Sequence, residues 1–433
     1  MRKTLAVMAA LVMLFGVANV TFATQARIAS LGKAWMYDGD FEDIYFYPNL
    51  TAEYPRMVVA ELGTYPAMFQ YYGSAAVTFA NEEQTWGAAG LDINHAITGE
   101  DDFYEYLTWL NAATNAALHF HSDIPMFDNK WHLFYARNVG GLSAGLHIAR
   151  AAGSYTFTES DTVSGNLQQE FDGSSGIWDF NFGLGYSPME NVEANLGFSF
   201  KTYSFSAEEN YSWPMATPAI TPVNNTLESD GGSGMDLALQ VMYGMTDNFK
   251  LVPTAGLSMS SMGFKTTYSD TANHPEKGTV SNSEFWAGFG ANYTPVENVR
   301  ILGGIDFAYR STTVEDSFVI GTPGDKETKY SEFLFPGFSA AVEADVVKWL
   351  TVRLGASKEI AKNTSTYSSA VDNYESETTY TTAEYNFGFG LTFKFNRLNI
   401  DVKVNDDQPF TAGYLMSGIA GEPFTQVSAT YKF

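Results

Sequence analysis

The feature that most constrains this chain is an alternation of apolar and polar side chains with a period of two residues. Near the C-terminus, Val427, Ala429, Tyr431 and Phe433 would share one face of a strand, and polar residues would occupy the other. The same alternation recurs along the chain, most clearly in residues 299–310, 384–395 and 398–405. One such strand is also typical of a soluble sandwich, but a long series of them is typical of a barrel in a membrane. We therefore predict an all-β fold, a transmembrane antiparallel up-and-down β-barrel.

Composition agrees with a barrel. The 433 residues include 25 Tyr, 33 Phe and 38 Gly, yet the mean hydropathy is slightly negative at −0.14. A helical membrane protein would be strongly apolar, whereas a barrel averages an apolar exterior with a polar interior. The formal net charge of −25 argues against a nucleic-acid partner, because binding nucleic acid requires clustered Lys and Arg. The chain has no Cys, which excludes a disulfide framework and a lipoprotein anchor.

The two ends of the chain predict export and insertion. A basic start at residues 1–3, an apolar run at 5–20 and small residues up to Ala23 predict a signal peptide over residues 1–23, exported through the Sec pathway. An uncleaved anchor is the alternative, but the run is shorter than the ~20 residues that span a bilayer. We expect the outer membrane of a Gram-negative-type envelope as the location and its lipid as a partner. The C-terminal strand ending at Phe433 predicts a contact with the barrel-assembly machinery.

Short connections alternate with long ones, as in barrels with tight periplasmic turns and extended outer loops. The short turns are predicted at residues 186–192, 243–249, 293–299, 345–349 and 396–397. The long connections are rich in Ser, Thr, Asn, Asp and Glu and are predicted at 153–174, 207–232, 265–282, 312–328, 361–377 and 406–422. Counting strands between them gives 14–16, with sixteen as the best count. An even number returns both termini to the periplasm.

Two segments do not fit the strand pattern. Residues 24–55 precede the barrel, predicted over 56–433, and carry a dense mixture of aromatic and acidic residues. Residues 101–118 place apolar side chains at spacings of three and four, which predicts an amphipathic helix within the first long outer loop.

The sequence LGKAWMYDGDFEDIYFYPNL, residues 31–50, resembles the start of a barrel superfamily: the FadL-type long-chain fatty acid transporters and the related secretion-associated outer-membrane barrels. Members begin with Leu-Gly-x-Ala, an acidic cluster and an aromatic residue, followed by Asn-Pro-Ala before the first strand. The residues that match in order are Leu31, Gly32, Ala34, Asp40, Asp43, Ile44, Tyr47 and Pro48. The order departs at the end, where Asn49 follows the proline instead of preceding it.

The resemblance implies that residues 24–55 fold into the lumen as a hatch or plug. The candidate hatch residues are Trp35, Asp38, Asp40, Asp43, Tyr47, Pro48 and Asn49. The residues themselves allow this arrangement, because aromatic side chains can pack inward while carboxylates meet cations of the wall. A periplasmic tail that lies across the mouth of the barrel is the alternative.

Charged and His residues at inward-facing positions are the candidates for a solute pathway. We single out Arg300, Asp306, Arg310, Arg353, His132 and His147. The alternative is a polar network that satisfies itself, since charges of mixed sign on adjacent strands tend to pair.

Metal and catalytic sites are not predicted. His119 and His121 alternate and are followed by Asp123, but no third nitrogen or sulfur ligand lies nearby in sequence. We also find no nucleophile motif, and we expect neither enzymatic activity nor a cofactor.

Three functions remain open after the sequence is read. The first is a FadL-like channel for uptake of hydrophobic or small solutes, with a hydrophobic small molecule as its ligand. The second is a scaffold barrel of a protein secretion or assembly system. The third is a general porin with a preference for cations, favoured by the acidic composition.

Overall fold

The structure is a computed structural model that describes residues 24–38, 40–65, 70–80, 86–94, 124–127, 129–161, 167–213, 220–268, 277–316, 326–369, 373–404 and 424–433. The predicted signal peptide, the predicted loop helix at 101–118 and the residues His119 and His121 lie outside this part of the chain. Within these ranges, no helix has both the length and the apolar composition needed to cross a membrane.

The described residues form sixteen strands in one closed barrel. Each strand pairs antiparallel with its neighbours in sequence, and β1 closes the sheet against β16, from Met57 opposite Lys432 to Gly63 opposite Gln426. The all-β barrel and the count of sixteen strands are therefore confirmed. The strands are β1 Met57–Tyr65, β2 Gln70–Ala80, β3 Ala88–Ile93, β4 Asn129–Val139, β5 Leu142–Asp161, β6 Leu167–Met189, β7 Val192–Trp213, β8 Ile220–Thr246, β9 Phe249–Tyr268, β10 Lys277–Val296, β11 Val299–Asp316, β12 Lys326–Val347, β13 Leu350–Ser369, β14 Tyr374–Phe395, β15 Leu398–Val404 and β16 Phe424–Lys432.

The two faces of the sheet differ as the alternation predicts. On β6, Phe182 and Leu184 point outward and are 51% and 56% exposed, whereas the neighbouring Asn181 and Asp179 point inward and are buried. Successive side chains of a strand point to opposite faces, so the outer surface becomes a band of large apolar residues. At the level of this band, the inner surface carries mainly polar, charged and small residues.

Two-residue turns join the strands at one end of the barrel, and the predicted short turns are confirmed. β6 ends at Met189 and β7 begins at Val192, and five other hairpins have the same spacing. Two of the six turns contain left-handed backbone, at Gly140, with φ of +65°, and at Asn396, with φ of +50°. Glycine and asparagine are the residues that tolerate this conformation.

The bounds predicted for five of the long connections are wrong, because much of each is strand, while the sixth, at 406–422, lies outside the described residues. The predicted loop at 153–174 contains the end of β5, which runs to Asp161, and the start of β6, which begins at Leu167. Beyond the membrane both faces of a strand can meet water, so backbone pairing continues while the hydropathy pattern disappears. The outward-facing hydroxyls of Ser174 and Ser206, for example, lie 2.9 Å apart on paired strands.

Placing a charge in the middle of the outer band tests this arrangement. Leu184 lies six residues before the β6–β7 turn, near the middle of the apolar band. We expect Leu184→Arg to lower the free energy of unfolding by ~2–4 kcal/mol, because the cation would face hydrocarbon. Ser206→Arg, on the same face but above the band, should change it by about 0.5 kcal/mol or less. Urea titration of the barrel in lipid vesicles measures both; equal losses would contradict the register.

Candidate functional site: the luminal segment and its cavity

Residues 24–54, called the luminal segment below, lie inside the barrel. They form helix α1 (Gln25–Leu31) and three 3₁₀ helices at Gly32–Tyr37, Phe41–Tyr45 and Pro48–Glu53. Helix α1 contacts β12 to β16, the first 3₁₀ helix contacts β10 to β14, and the last contacts β3 to β6. These strands stand on opposite sides of the closed barrel, so the segment crosses the lumen from wall to wall.

Arg27, on α1, is the centre of the charge network that holds the segment. Its guanidinium is fully buried and binds Asp38 at 2.5 Å, Glu343 of β12 at 2.8 Å, and Asp40. One arginine therefore joins two carboxylates of the segment to one of the wall. A buried charge is tolerated only when it is paired in this way, because leaving water is costly for an ion.

The network continues along the wall. Glu343 also binds Arg353 of β13, which in turn binds Asp401 of β15 at 3.0 Å. The hydroxyl of Thr24, at the start of α1, donates to the same Asp401 at 3.1 Å. The segment and three strands therefore share one continuous set of charge-assisted hydrogen bonds.

Arg300 joins the network from β11. Its guanidinium binds both oxygens of Asp38, at 2.6 and 2.7 Å, and Asn292 of β10 donates to Asp38 at 2.9 Å. The structure thus brings together Arg300, Arg353, Asp38 and Asp40, all of which the sequence singled out. It adds Arg27, which the sequence reading missed. The signal was present, because Arg27 and Lys33 are the only cations in a segment that carries four carboxylates between residues 38 and 43.

Asp306 and Arg310 lie outside this network. Lys33 of the luminal segment forms an ion pair with Glu359 and lies 3.8 Å from Asp306. Arg310 binds Glu284 at 3.0 Å and Glu332 at 3.2 Å on the neighbouring strands, and its side chain is about half exposed, at 48%. Arg310 therefore pairs with carboxylates of the adjacent strands, as the mixed signs of the charges predict.

His132 and His147 face the lumen and stack on each other. Nδ1 of His132 lies 3.0 Å from Nε2 of His147, and both residues are buried. Tyr45 of the luminal segment packs edge-on against both rings, and its hydroxyl donates to Asp92 of β3. The pair therefore serves as a packing surface for the segment. A role in solute passage stays a prediction.

The inner wall is shaped to admit the backbone of the segment. Where the segment approaches most closely, the wall carries glycines, and a Cβ atom at any of them would overlap the segment. The glycines are Gly355, Gly388 and Gly390 beside Ser30 and Leu31; Gly288, Gly290 and Gly304 beside Tyr37; and Gly145, Gly183, Gly185 and Gly197 beside Phe46 to Asn49. Three separate parts of the segment are thus seated in matching hollows, which a loose tail would not require.

Asn49, the residue that departs from the family order, occupies the last of these hollows. Its amide nitrogen donates to Asn195 at 2.8 Å and to Ser143 at 3.1 Å. Pro48 beside it is the first residue of the 3₁₀ helix and is buried. The side chain of Trp35 is outside the described part of the structure, so its predicted role stays a prediction.

Asp43 is buried in the second 3₁₀ helix. It accepts a hydrogen bond from the backbone N–H of Asp40 at 2.7 Å, and the Asp40 side chain completes a reciprocal cap. The pKa of Asp43 is raised to about 7, chiefly by burial and also by the nearby Asp38, Glu42 and Glu193, while the hydrogen bond from Asp40 opposes the rise. A carboxyl group that is protonated near neutral pH can donate as well as accept.

A cavity of about 250 Å³ lies between the luminal segment and strands β8 to β11. Aromatic and thioether side chains form one part of its lining, namely Met36, Phe46, Tyr47, Trp286 and Phe307. The charged part consists of Lys33, Asp43, Glu284, Asp306 and Arg310. A space with apolar walls and a few fixed polar groups is the usual form of a small-molecule site.

Farther from the turns, the inner wall is apolar. Residues 124–127 pack there, and Ser175 of β6 donates to the carbonyl of Pro125 at 2.5 Å. The buried members of this upper apolar cluster are Ile124, Phe127, Ala149, Ala151, Phe171, Ile177, Tyr203, Phe205, Ala207, Leu227, Met262, Phe264 and Val280. The sequence did not predict this surface, and four of its members, Phe171, Ala207, Leu227 and Val280, fall within the predicted outer connections.

Comparison with known proteins finds no related sequence and several solved structures of low similarity. No protein-family model and no curated protein sequence matches the chain. Similar solved structures include the Ralstonia pickettii toluene transporter TbuX, at 12% identity over 95% of this chain and 98% of that chain, with a TM-score of 0.38. They also include the Pseudomonas putida toluene transporter TodX, at 9% identity over 95% of this chain and 96% of that chain, with a TM-score of 0.35. The CymD monoaromatic hydrocarbon channel matches at 9% identity over 90% of this chain and 92% of that chain, with a TM-score of 0.37. At these identities and scores the likeness decides neither family nor function.

The Asp43 carboxyl makes the stability of the protein depend on pH. Its pKa is raised in the folded protein, so the folded state binds this proton more tightly than the unfolded state does. The stabilisation is complete below an ordinary aspartate pKa of ~4 and is lost as the pH rises through about 7. In the wild type, the free energy of unfolding should decline between pH 5 and 8 in part because Asp43 loses its proton. We expect this part of the decline to be absent in Asp43→Asn. Asp172→Asn, an exposed carboxylate on β6, should keep the wild-type slope, and an unchanged slope in Asp43→Asn would refute the assignment.

Proposed function

We propose that the protein is an outer-membrane channel for the uptake of hydrophobic or small solutes, with the luminal segment as its hatch. The observation that supports this most is the seating of residues 24–54 across the lumen, by buried ion pairs and glycine hollows, next to a cavity with aromatic walls. In this conformation the channel is closed.

The apolar surfaces inside the barrel support a hydrophobic or partly apolar cargo. A solute that enters from the outer end would first meet the upper apolar cluster and then the cavity that Phe46, Tyr47 and Trp286 line. A general porin needs neither feature, because hydrated ions pass through polar water-filled lumens. A barrel that serves only as the scaffold of a secretion system does not need a solute-sized cavity.

Opening the hatch requires a collective movement. Breaking a buried ion pair by removing one partner costs about 3–5 kcal/mol, so Arg27 cannot leave Glu343 while Asp38 and Asp40 stay in place. If α1 moves together with both aspartates, only the bonds to the wall must be exchanged. The arrangement therefore favours two discrete positions of the segment over gradual fraying.

A reversible cross-link tests the role of the hatch. The chain has no Cys, so a single engineered pair can be studied alone. A Cβ atom placed on Gly390 lies 2.5 Å from the Cβ of Ser30, and a shift of about 1.3 Å reaches the ~3.8 Å typical of a disulfide. We expect oxidised Ser30→Cys/Gly390→Cys protein to block uptake of a small aromatic hydrocarbon, and reduction to restore it.

A second pair provides the control. Ser174→Cys/Ser206→Cys would join two strands of the outer wall, whose hydroxyls lie 2.9 Å apart, without touching the segment. Uptake by this variant should be the same when oxidised and reduced. If the oxidised Ser30→Cys/Gly390→Cys protein takes up the solute at the wild-type rate, solutes do not pass by way of the hatch.

A further inference from the structure

The charged side chains on the outer face of the barrel are of one sign near the turns, whereas those inside the barrel are of both signs. Within ten residues of the two-residue turns, the described outward-facing positions carry three charged side chains, which are Arg137, Arg150 and Lys358. All three are cations, although the chain has 49 acidic residues against 24 Lys and Arg. Composition alone would have favoured carboxylates, so the positive sign at this level calls for a physical reason.

Arg150 lies in the middle of a row that crosses three strands. It stands directly opposite Trp131 on β4 and Trp178 on β6, and its guanidinium carbon lies 5.2 Å from the centre of the Trp178 ring. The guanidinium passes over Gly176, where a Cβ atom would overlap it, and donates to the carbonyl of Ile177 at 3.1 Å. The arginine is thus held against the outer wall and over the Trp178 ring, and the rings of Trp131 and Trp178 meet edge to face with their centres 5.7 Å apart.

Lys358 lies in a second row of the same kind. It stands opposite Phe338 on β12 and Tyr385 on β14, and its Nζ lies 4.9 Å from the centre of the Tyr385 ring. Both aromatic residues are well exposed, at 49% and 72%. Neither Lys358 nor Arg150 forms an ion pair with a carboxylate in the described part of the chain.

The two rows occupy equivalent positions. Arg150 is eight residues after Leu142, which begins β5, and Lys358 is eight residues after Leu350, which begins β13. Because β5 and β13 are eight strands apart in a barrel of sixteen, the rows lie on opposite sides of the barrel. Tilted strands raise these residues about 20 Å above the turns, near the upper edge of an apolar band ~25 Å tall.

An aromatic residue, a cation and a second aromatic residue match the edge of a membrane. Aromatic rings concentrate at the level of the lipid headgroups, where acyl chains end and phosphates begin. A cation with no carboxylate partner at that level is complementary to a lipid phosphate, which offers a negative charge and several acceptor oxygens.

We propose that each of the two rows binds the phosphate group of a lipid in the outer leaflet. Arg150 and Lys358 provide the charge, and the rings on either side pack against the first part of the acyl chains. Two phosphorylated lipids would then be held on opposite sides of the barrel. This inference depends on the outer face of the barrel and is independent of the channel function proposed above.

Native mass spectrometry of the purified full-length barrel tests the proposal, with bisphosphorylated lipid A as the probe and its dephosphorylated form as the comparison. We expect wild-type protein to bind two phosphorylated lipids, Arg150→Gln or Lys358→Gln to bind one of the two more weakly, and the double variant to bind both more weakly. Each substitution should weaken binding at its own site about five-fold. Arg137→Gln should behave as wild type, because this cation lies three residues before the turn at the opposite edge of the membrane.

Several results would overturn the proposal. Equal retention of the dephosphorylated lipid would show that the rings alone hold the lipid. Wild-type retention by the double variant, with its folded migration in electrophoresis intact, would show that neither cation contributes. Displacement of the lipid by millimolar inorganic phosphate would assign the site to a free anion.

Discussion

The buried charge network around Arg27 is the interaction on which the rest of the interior depends. A guanidinium that lies wholly out of water must be paired on several sides, and here its partners are Asp38, Asp40 and Glu343. Two of these carboxylates come from the luminal segment and one from the wall. The network therefore fixes the position of the segment against β12, and through Arg353 and Asp401 it reaches two further strands.

The glycine hollows and the cavity follow from that position. With α1 held at β12 to β16, the chain crosses the lumen to β3 to β6 before it enters β1, and the wall has to make room where the segment passes. The space left on the β8 to β11 side is the cavity beside Phe46, Tyr47 and Trp286. Shape and charge thus cooperate: the hollows define where the segment fits, and the ions make partial release costly.

Sequence patterns predicted the barrel, its turns and the faces of its strands because each depends on local rules. The alternation along β14 and the asparagine at position 396 need no knowledge of the rest of the fold. The ends of the outer strands were not predictable in this way, since Ser174 and Ser206 pair above the membrane, where no hydropathy contrast remains. Arg27 was missed because its partner Glu343 lies 316 residues away, a pairing that only the closed barrel reveals.

The most direct test of this account is the conductance of the purified barrel in a planar lipid bilayer, with and without residues 24–54. We expect the full-length protein to carry almost no steady current, because the segment crosses the lumen from wall to wall, and the shortened protein to carry a steady current with a preference for cations. If both proteins conduct equally, the luminal segment does not close the barrel. In that case the network around Arg27 would have a purely structural role.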